Sequence, residues 1–307
     1  STMVFDANKT YSPNKLNVSN GNTTLTTLQF VAKYSKDIKA HHFDVLLGAS
    51  QEEYITNWGE AYRQEFPNDL LYELNAGSTN GQTASGSGGE WGLRSFFGRL
   101  NYSYMDKYLV EVNARYDGTS RFPSSGRWGL FPSISFGWRL SEESFIKDNI
   151  EWLNNLKLRA SWGKLGNQNI GNYPYQNSIS LGVDYPFGNN MSSGAAVQTL
   201  ANRNISWETT SVFDLGVDFT VLNGMFDVTF DYFDKRTDDI LYNISASSIL
   251  GMTPSEVNAA SVKNTGIEAS VKYNVNIGDF KLHLAPNFSY YKNQVTSLAN
   301  GQSRDID

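Results

Sequence analysis

Cysteine is missing altogether from the 307 residues of this chain. Disulfide staples, thiolate metal sites and a cysteine nucleophile are therefore excluded together. Also missing is any apolar run near the roughly 20 residues that a membrane-crossing helix needs, which excludes a helical membrane protein. Charged residues reach only 18%, the net charge is -6, and no basic cluster offsets it, so no nucleic-acid partner is expected. Histidine is scarce: His41, His42 and His283 are the full set. Adjacent His41 and His42 would point to opposite sides of a strand, and no carboxylate cluster accompanies them, so no metal site is expected. No Gly-x-Ser-x-Gly elbow or phosphate-cradling loop occurs. The acidic pairs Asp238-Asp239 and Glu142-Glu143 fall in turn regions. Neither an enzyme nor a cofactor is expected. The N-terminal Ser1-Thr2-Met3-Val4-Phe5 lacks the basic start and apolar core of a signal peptide, which leaves export undecided.

What the chain does hold is aromatic, glycine-rich and alternating. Aromatics make up 14% of it and glycine contributes 26 residues, a mixture that suits strands and polar loops rather than helices. From residue 96 one face reads Phe96, Gly98, Leu100, Tyr102, Tyr104, and the other Phe97, Arg99, Asn101, Ser103. The same two-wall design recurs at residues 108–117, 130–140, 156–163, 211–219, 226–233, 267–275 and 280–290. Weaker runs lie at 28–34 and 43–49. Successive side chains of a strand point to opposite faces, so each run carries one apolar and one polar wall. About ten strands result, most near the roughly 9–11 residues that a tilted strand needs to cross a bilayer. Composition alone also suits a soluble sandwich or β-helix. Strands in soluble domains are usually about 5–6 residues long, however, and these end repeatedly in Tyr, Trp or Phe, as lipid-facing bands do.

The connections alternate in length. Residues 35–40, 105–107, 222–225 and 276–279 are short, 118–127 is intermediate, and 51–93, 164–206 and 235–263 are long. Outer-membrane barrels pair tight periplasmic turns with large external loops in this way. Asn223-Gly224 is a strong hairpin signal. Residues 141–155 break the pattern, with one or two helical turns expected over 142–152. By parity, 51–93 and 164–206 belong on one external face. The expected fold is all-β: an antiparallel, up-and-down transmembrane barrel segment.

Several ordered stretches resemble the SusC/RagA family of TonB-dependent outer-membrane transporters. They include Phe97-Gly98-Arg99-Leu100-Asn101-Tyr102, Arg115-Tyr116-Asp117-Gly118-Thr119-Ser120-Arg121-Phe122 and Arg127-Trp128-Gly129-Leu130-Phe131-Pro132-Ser133. Leu156-Lys157-Leu158-Arg159-Ala160-Ser161-Trp162-Gly163, Gly166-Asn167-Gln168-Asn169-Ile170-Gly171-Asn172-Tyr173, Trp207-Glu208-Thr209-Thr210 and Asn264-Thr265-Gly266-Ile267-Glu268 continue the series. The resemblance spans roughly residues 43–290. It implies a barrel of about 22 strands, a plug, TonB coupling through a segment before the plug, and a SusD-like surface lipoprotein over the barrel. It also implies import of an oligosaccharide or peptide across the outer membrane of a Gram-negative bacterium. No plug or TonB box is recognisable here, so residues 1–307 are expected to be part of the barrel domain of a longer protein. A passive porin-like channel and a soluble β-rich binding or adhesion protein are the alternatives.

Two sets of residues stand out as candidates. Arg99, Arg115, Arg139 and Arg159 share the polar face with Asp214, Asp218, Glu111 and Asp117, and are expected to form a lumen ion-pair network. Trp58, Tyr62, Trp91, Tyr173, Tyr175 and Tyr185 lie in the long connections, around a flexible glycine tract at 77–89 in the first. They are candidates for contact with ligand or lid, because exposed aromatics are enriched at interfaces. Gly98, Gly137, Gly163 and Gly216 fall where bulges or close packing would favour a missing side chain. The Asn-x-Ser/Thr matches at Asn17 and Asn243 are expected by chance.

Overall fold

The computed structural model describes residues 14–188, 190–242, 249, 251–254, 256–298 and 304–306. The chance match at Asn243 lies outside them. Strands run through nearly all of this length: β1 Lys15–Ile38, β2 His41–Gln64, β3 Ser78–Tyr104, β4 Tyr108–Thr119, β5 Trp128–Arg139 and β6 Leu153–Asn167. Short pieces follow at β7 Ile179–Leu181, β8 Tyr185–Phe187, β9 Asn190–Ser192, β10 Ala195–Val197 and β11 Thr199–Leu200. Then come β12 Glu208–Val221, β13 Phe226–Tyr242, β14 Thr253–Pro254, β15 Val257–Ile277, β16 Phe280–Leu284, β17 Asn287–Ser297 and β18 Arg304–Ile306. The sheet order is β1-β2-β3-β4-β5-β6-β12-β13-β15-β17-β18, with β16 also on β15. Sequential strands are thus spatial neighbours, the up-and-down pattern. Among the described residues no helix is long and apolar enough to cross a membrane. The chain divides into two compact units, Ser1–Leu28 with Gln51–Gly92, and Gln29–Ser50 with Leu93–Asp307.

In the second unit, register turns the alternation of single strands into two continuous walls. Directly paired residues share a face. On one face Tyr102 pairs Val110, Val110 pairs Phe136, and Phe136 pairs Ala160. The row continues through Leu215, Tyr232, Ile267 and Tyr290. Parallel to it, Leu158, Val217, Phe230, Ala269 and Phe288 form a second apolar row. Nearly all of these side chains are exposed or half-exposed, and Phe136 keeps 53% of its surface open. The opposite face carries Arg99 against Asn113, and Glu111 against Ser135 and Ser161. The two-wall alternation therefore holds through seven consecutive pairings, from β3 to β17.

Aromatic rings bracket the apolar wall. At the short-turn end Tyr104, Tyr108 and Trp138 stack in sequence at 6.2 Å, and at the loop end Phe96, Trp128 and Tyr116 stack at 6.3 and 4.8 Å. Tyr108 and Tyr116 are eight residues apart on β4, about 27 Å along a strand that rises about 3.4 Å per residue. That matches the apolar band of roughly 25 Å of outer-membrane barrels, less the shortening from tilt.

Several expectations need correction. Residues 51–93 are not one long loop: β2 continues to Gln64 and β3 starts at Ser78, leaving 65–77 as the connection. The glycine tract at 77–89 is almost wholly strand. Period-two hydrophobicity marks a strand where one face meets apolar surroundings. Beyond that stretch both faces are polar, and the backbone ladder leaves no signature in residue type. For the same reason β6, β13 and β15 extend past the runs at 156–163, 226–233 and 267–275. The run at 280–290 is two strands, because Pro286 has no N–H for the ladder. Its carbonyl still accepts from Val271 N at 3.0 Å. The helical turns in the irregular connection are present, as a 3-10 turn at Leu140–Glu142 and helix α1 at Ser144–Lys147.

In the first unit, Asn14 ties the connection 65–77 to β1. Its Oδ1 accepts from Phe66 N at 2.7 Å, and its Nδ2 donates to Asp69 Oδ1 at 2.8 Å. Arg63 Nη1 donates to the carbonyls of Leu74 and Gly77. Leu16 and Phe66 are the buried apolar residues of this unit among the described residues.

Candidate functional site

The polar wall centres on Arg159. In register, Arg159 on β6 faces Gly216 on β12, which faces Asp231 on β13, which faces Glu268 on β15. The guanidinium grips Asp218 with two bonds, Nε to Oδ2 at 2.8 Å and Nη2 to Oδ1 at 3.0 Å. It also passes over Gly216 to reach Asp231 Oδ1 at 2.8 Å. Asp214 lies 3.9 Å from Nη1. A Cβ on Gly216 would sit 2.6 Å from Arg159 Cζ and against Asp231 Oδ1, so the glycine is what lets one arginine bridge three strands. Nearby, Asn113 Nδ2 donates to Glu111 at 2.7 Å and to Ser133 at 3.3 Å.

The candidate arginines do not join into one network. Arg159, Asp214 and Asp218 belong together, with Asp231 added. Arg115 pairs with Asp117 on its own strand at 2.8 Å, donates to buried Ser95, and lies 5.5 Å over the Phe97 ring. Arg139 pairs with Glu142 at 3.0 Å and donates to Asp106 O. Arg99 enters no ion pair among the described residues, and its Nε is buried without a hydrogen-bond partner. Separation along the wall is the reason: positions two apart on a strand lie roughly 7 Å apart, so each guanidinium reaches acceptors in its own row or the next and no further.

At the loop end the polar face closes with a small core: Phe122, Phe131, Ile170, Ile205 and Trp207. Trp207 meets Phe122 and Phe131 edge-on at 5.4 and 5.2 Å and donates Nε1–H to Arg127 O at 3.0 Å. Arg121 donates to Gln168 O, and burial lowers its pKa from the ordinary value. Asn258 on β15 ties the connection before β12 to β13, accepting from Ser206 N and donating to the carbonyls of Ser206 and Asp239. The strings around residues 121–122, 167–170 and 207–208 are thus loop-packing devices. Sequence reading did not single out Trp207, Phe122 or Ile205 as a core, because their partners are distant in sequence.

The short-turn end has its own cluster, built on the unheralded Glu143. Its Oε1 accepts from Tyr108 Oη at 2.7 Å and Trp138 Nε1 at 3.1 Å, and its Oε2 lies 3.3 Å from Lys107 Nζ. Glu142 pairs with Arg139 and with Lys147 at 2.9 Å. Hydrogen bonds from Tyr108 and then Trp138 hold the Glu143 carboxyl below its usual pKa, and the bond from Lys147 does the same for Glu142.

The aromatic candidates fall at separate places. Trp91 stacks on Tyr54 at 5.5 Å, Trp58 is exposed on β2, and Tyr62 donates to Gln64 at 3.0 Å. In the other unit, Tyr173 and Tyr175 meet edge-on at 6.3 Å, with Tyr175 packed on the loop core. Tyr185 is exposed on the β8–β9 hairpin beside Phe187. No group of three or more His, Asp or Glu residues is placed to hold a metal among the described residues. His41 stacks in the aromatic row, and its Nδ1 bonds Tyr102 Oη at 2.9 Å.

Residues 2–307 match the model of the family described as TonB dependent receptor-like, beta-barrel. The TonB-dependent receptor SusC of Bacteroides thetaiotaomicron is 33% identical over 288 residues, covering 89% of this chain and 27% of SusC. The TonB-dependent receptor P39 of Formosa agariphila is 36% identical over 240 residues, covering 78% of this chain and 22% of its own length. Among solved structures, that of the RagAB peptide transporter aligns with a TM-score of 0.89 at 26% identity, over 97% of this chain and 33% of the matched one. The chain thus spans about a fifth to a third of the length of these relatives.

Proposed function

This chain belongs to the TonB-dependent receptor β-barrel family of the Gram-negative outer membrane, and from that premise we propose that it forms barrel wall and external loops of a SusC/RagA-like importer of oligomeric nutrients. One observation carries the reading: a single up-and-down sheet has an exposed apolar wall on one face and a charged, hydrogen-bonded wall on the other. The first wall suits lipid and the second a polar lumen. No catalytic role is assigned to it. The cargo is an oligosaccharide or a peptide, a SusD-like surface lipoprotein covers the external loops, and TonB supplies energy through a region outside residues 1–307. Trp58, Tyr62, Trp91, Tyr173 and Tyr185 are the contact candidates for cargo or lid, while Tyr175 contributes at least in part to loop packing.

The test uses the full-length receptor in cells, supplied with labelled oligosaccharide and peptide pools. Uptake should stop when the receptor is deleted and when the proton gradient is collapsed. Uptake that persists without the gradient would make the protein a passive channel. Alanine at Trp58, Trp91, Tyr173 and Tyr185 together should lower uptake or lid association while receptor abundance in the outer membrane stays normal. If neither changes, these rings have no part in transport.

A further inference from the structure

Strand β3 outruns its neighbour. The sheet places it between β2 and β4, yet β4 pairs with it only from Leu93 against Thr119 to Tyr104 against Tyr108. There β4 stops because the chain turns away: Arg121 N donates to Thr119 Oγ1 at 3.2 Å, and Phe122 enters the loop core. Residues 78–92 therefore have β2 on one side and, among the described residues, no strand on the other. The β2 side is close: a Cβ on Gly86 would lie 2.8 Å from the Trp58 carbonyl oxygen, and one on Gly88 3.3 Å from that of Thr56. Residues 79–88 are all exposed. Every second residue of an antiparallel strand turns its N–H and C=O to the same side, so the open side carries a row of unpaired donors and acceptors. Gly81, at φ 73°, bends the tip, and over residues 82–88 no positive φ interrupts the row.

Exposed strand edges are usually blunted by lysine, proline or a charge, because a bare edge invites another strand. Residues 82–88 have none of these and hold only Gln, Thr, Ala, Ser and Gly. Side chains this small let a second backbone approach closely. We propose that the open edge of β3 at residues 82–88 is a docking strip for extended peptide cargo, which adds to the sheet as one further strand. The ladder identifies the occupant: N–H and C=O groups repeating roughly every 7 Å along the edge match a peptide backbone and not a sugar ring. Charge narrows the class. Arg63 is the one cationic side chain in residues 51–92, against carboxylates that include Glu60, Glu65, Asp69, Glu73 and Glu90, so peptides of net positive charge are favoured. Because main-chain bonds supply the affinity, the peptide's own sequence is left largely free. This site rests on the importer reading above and selects peptide from its two cargo classes.

The test uses the purified full-length receptor in detergent. Its probe is a fluorescein-labelled decapeptide of alternating threonine and lysine, with binding read by anisotropy. Three competitors are compared with the unlabelled probe: the same peptide methylated at every backbone nitrogen, a threonine–glutamate counterpart, and maltoheptaose. Each should bind roughly tenfold or more weakly than the probe. Hydrogen exchange then locates the site. About half the amides of residues 82–88, those on the open side, should slow roughly tenfold with peptide, while those bonded to β2 stay unchanged. Equal affinity for the methylated peptide would overturn the proposal, as would a probe that fails to bind or binds without slowing these amides. Open-side amides already protected in peptide-free receptor would overturn it too, since another segment would then occupy the edge. Uptake in cells separates this site from the importer reading. Gradient-dependent uptake with no slowing along the edge strikes this site alone. Gradient-independent uptake strikes the importer, and the exchange result still decides the edge.

Discussion

Arg159 and Gly216 show how one missing side chain sets the pattern of a polar wall. The arginine has five donors in a planar fork and uses them across three strands, which a lysine could not match. It can do so because Gly216 leaves the space between it and Asp231 empty. Gly216→Ala in the full-length receptor should therefore destabilise the barrel by about 1–3 kcal/mol, the usual range for overpacking. The cost would be read from urea unfolding in vesicles. Gly171→Ala, which meets nothing within 4 Å, is the comparison and should be neutral. Equal midpoints for the two variants would show that the Arg159–Asp231 bond contributes little. The other flagged glycines are also tight by packing. A Cβ on Gly163 would lie 2.9 Å from Ser133 Cβ, and one on Gly137 3.1 Å from Lys157 Cε.

The element that departs most from a plain hairpin is the connection between β5 and β6. Its 3-10 turn, α1 and Glu142–Glu143 pair fasten the end of β5 to the β3–β4 turn through Arg139, Lys107, Tyr108 and Trp138. Both carboxyls are held below the ordinary carboxylate range, Glu142 first by its bond from Lys147 and Glu143 by those from Tyr108 and then Trp138. A depressed folded pKa means stabilisation that is complete above the unfolded value and lost as pH falls through the folded one. Hydrogen exchange of residues 140–152 should thus be constant from neutral pH down to about 5 and accelerate, after correction for intrinsic rates, below about 4.5. Glu143→Gln should show the accelerated exchange already at neutral pH. A flat profile would mean that the connection is held by its backbone bonds alone. Pro132 marks another boundary of element scale, since β5 pairs with β6 from Ser133 onward but not before it.

At the scale of the molecule, the apolar material lies outside rather than inside. Among the described residues the buried apolar side chains are few, while Leu130, Phe136, Phe213, Phe230 and Phe288 are exposed on the wall. A soluble protein of this size would bury such residues, because exposed apolar area costs about 25 cal/mol for each Å². Residues 1–307 alone are accordingly expected to aggregate in detergent-free buffer and to fold only with detergent or lipid. Size-exclusion chromatography with thermal unfolding checks this. A monodisperse, cooperatively unfolding 34.3 kDa species without detergent would refute the membrane placement.

The strand class, the two walls and the short turns were legible in the sequence because each is a local property. Alternation shows wherever one face meets an apolar medium, and Asn223-Gly224 announces its turn by its own backbone preference. The lengths of β1, β2 and β3 beyond that medium were not legible, since a backbone ladder with polar residues on both faces has no period to read. The grouping of the site was not legible either. Arg159 was singled out, but its reach to Asp231 depends on registers between three strands and on Gly216 between them. Glu143, Trp207 and Asn258 have partners 35 residues or more away in their decisive bonds, to Tyr108, Arg127 and Ser206. Residue chemistry settled which faces are apolar and which polar. Pairing across the sheet decided which charges meet, because contact between strands is a matter of register that no single strand encodes.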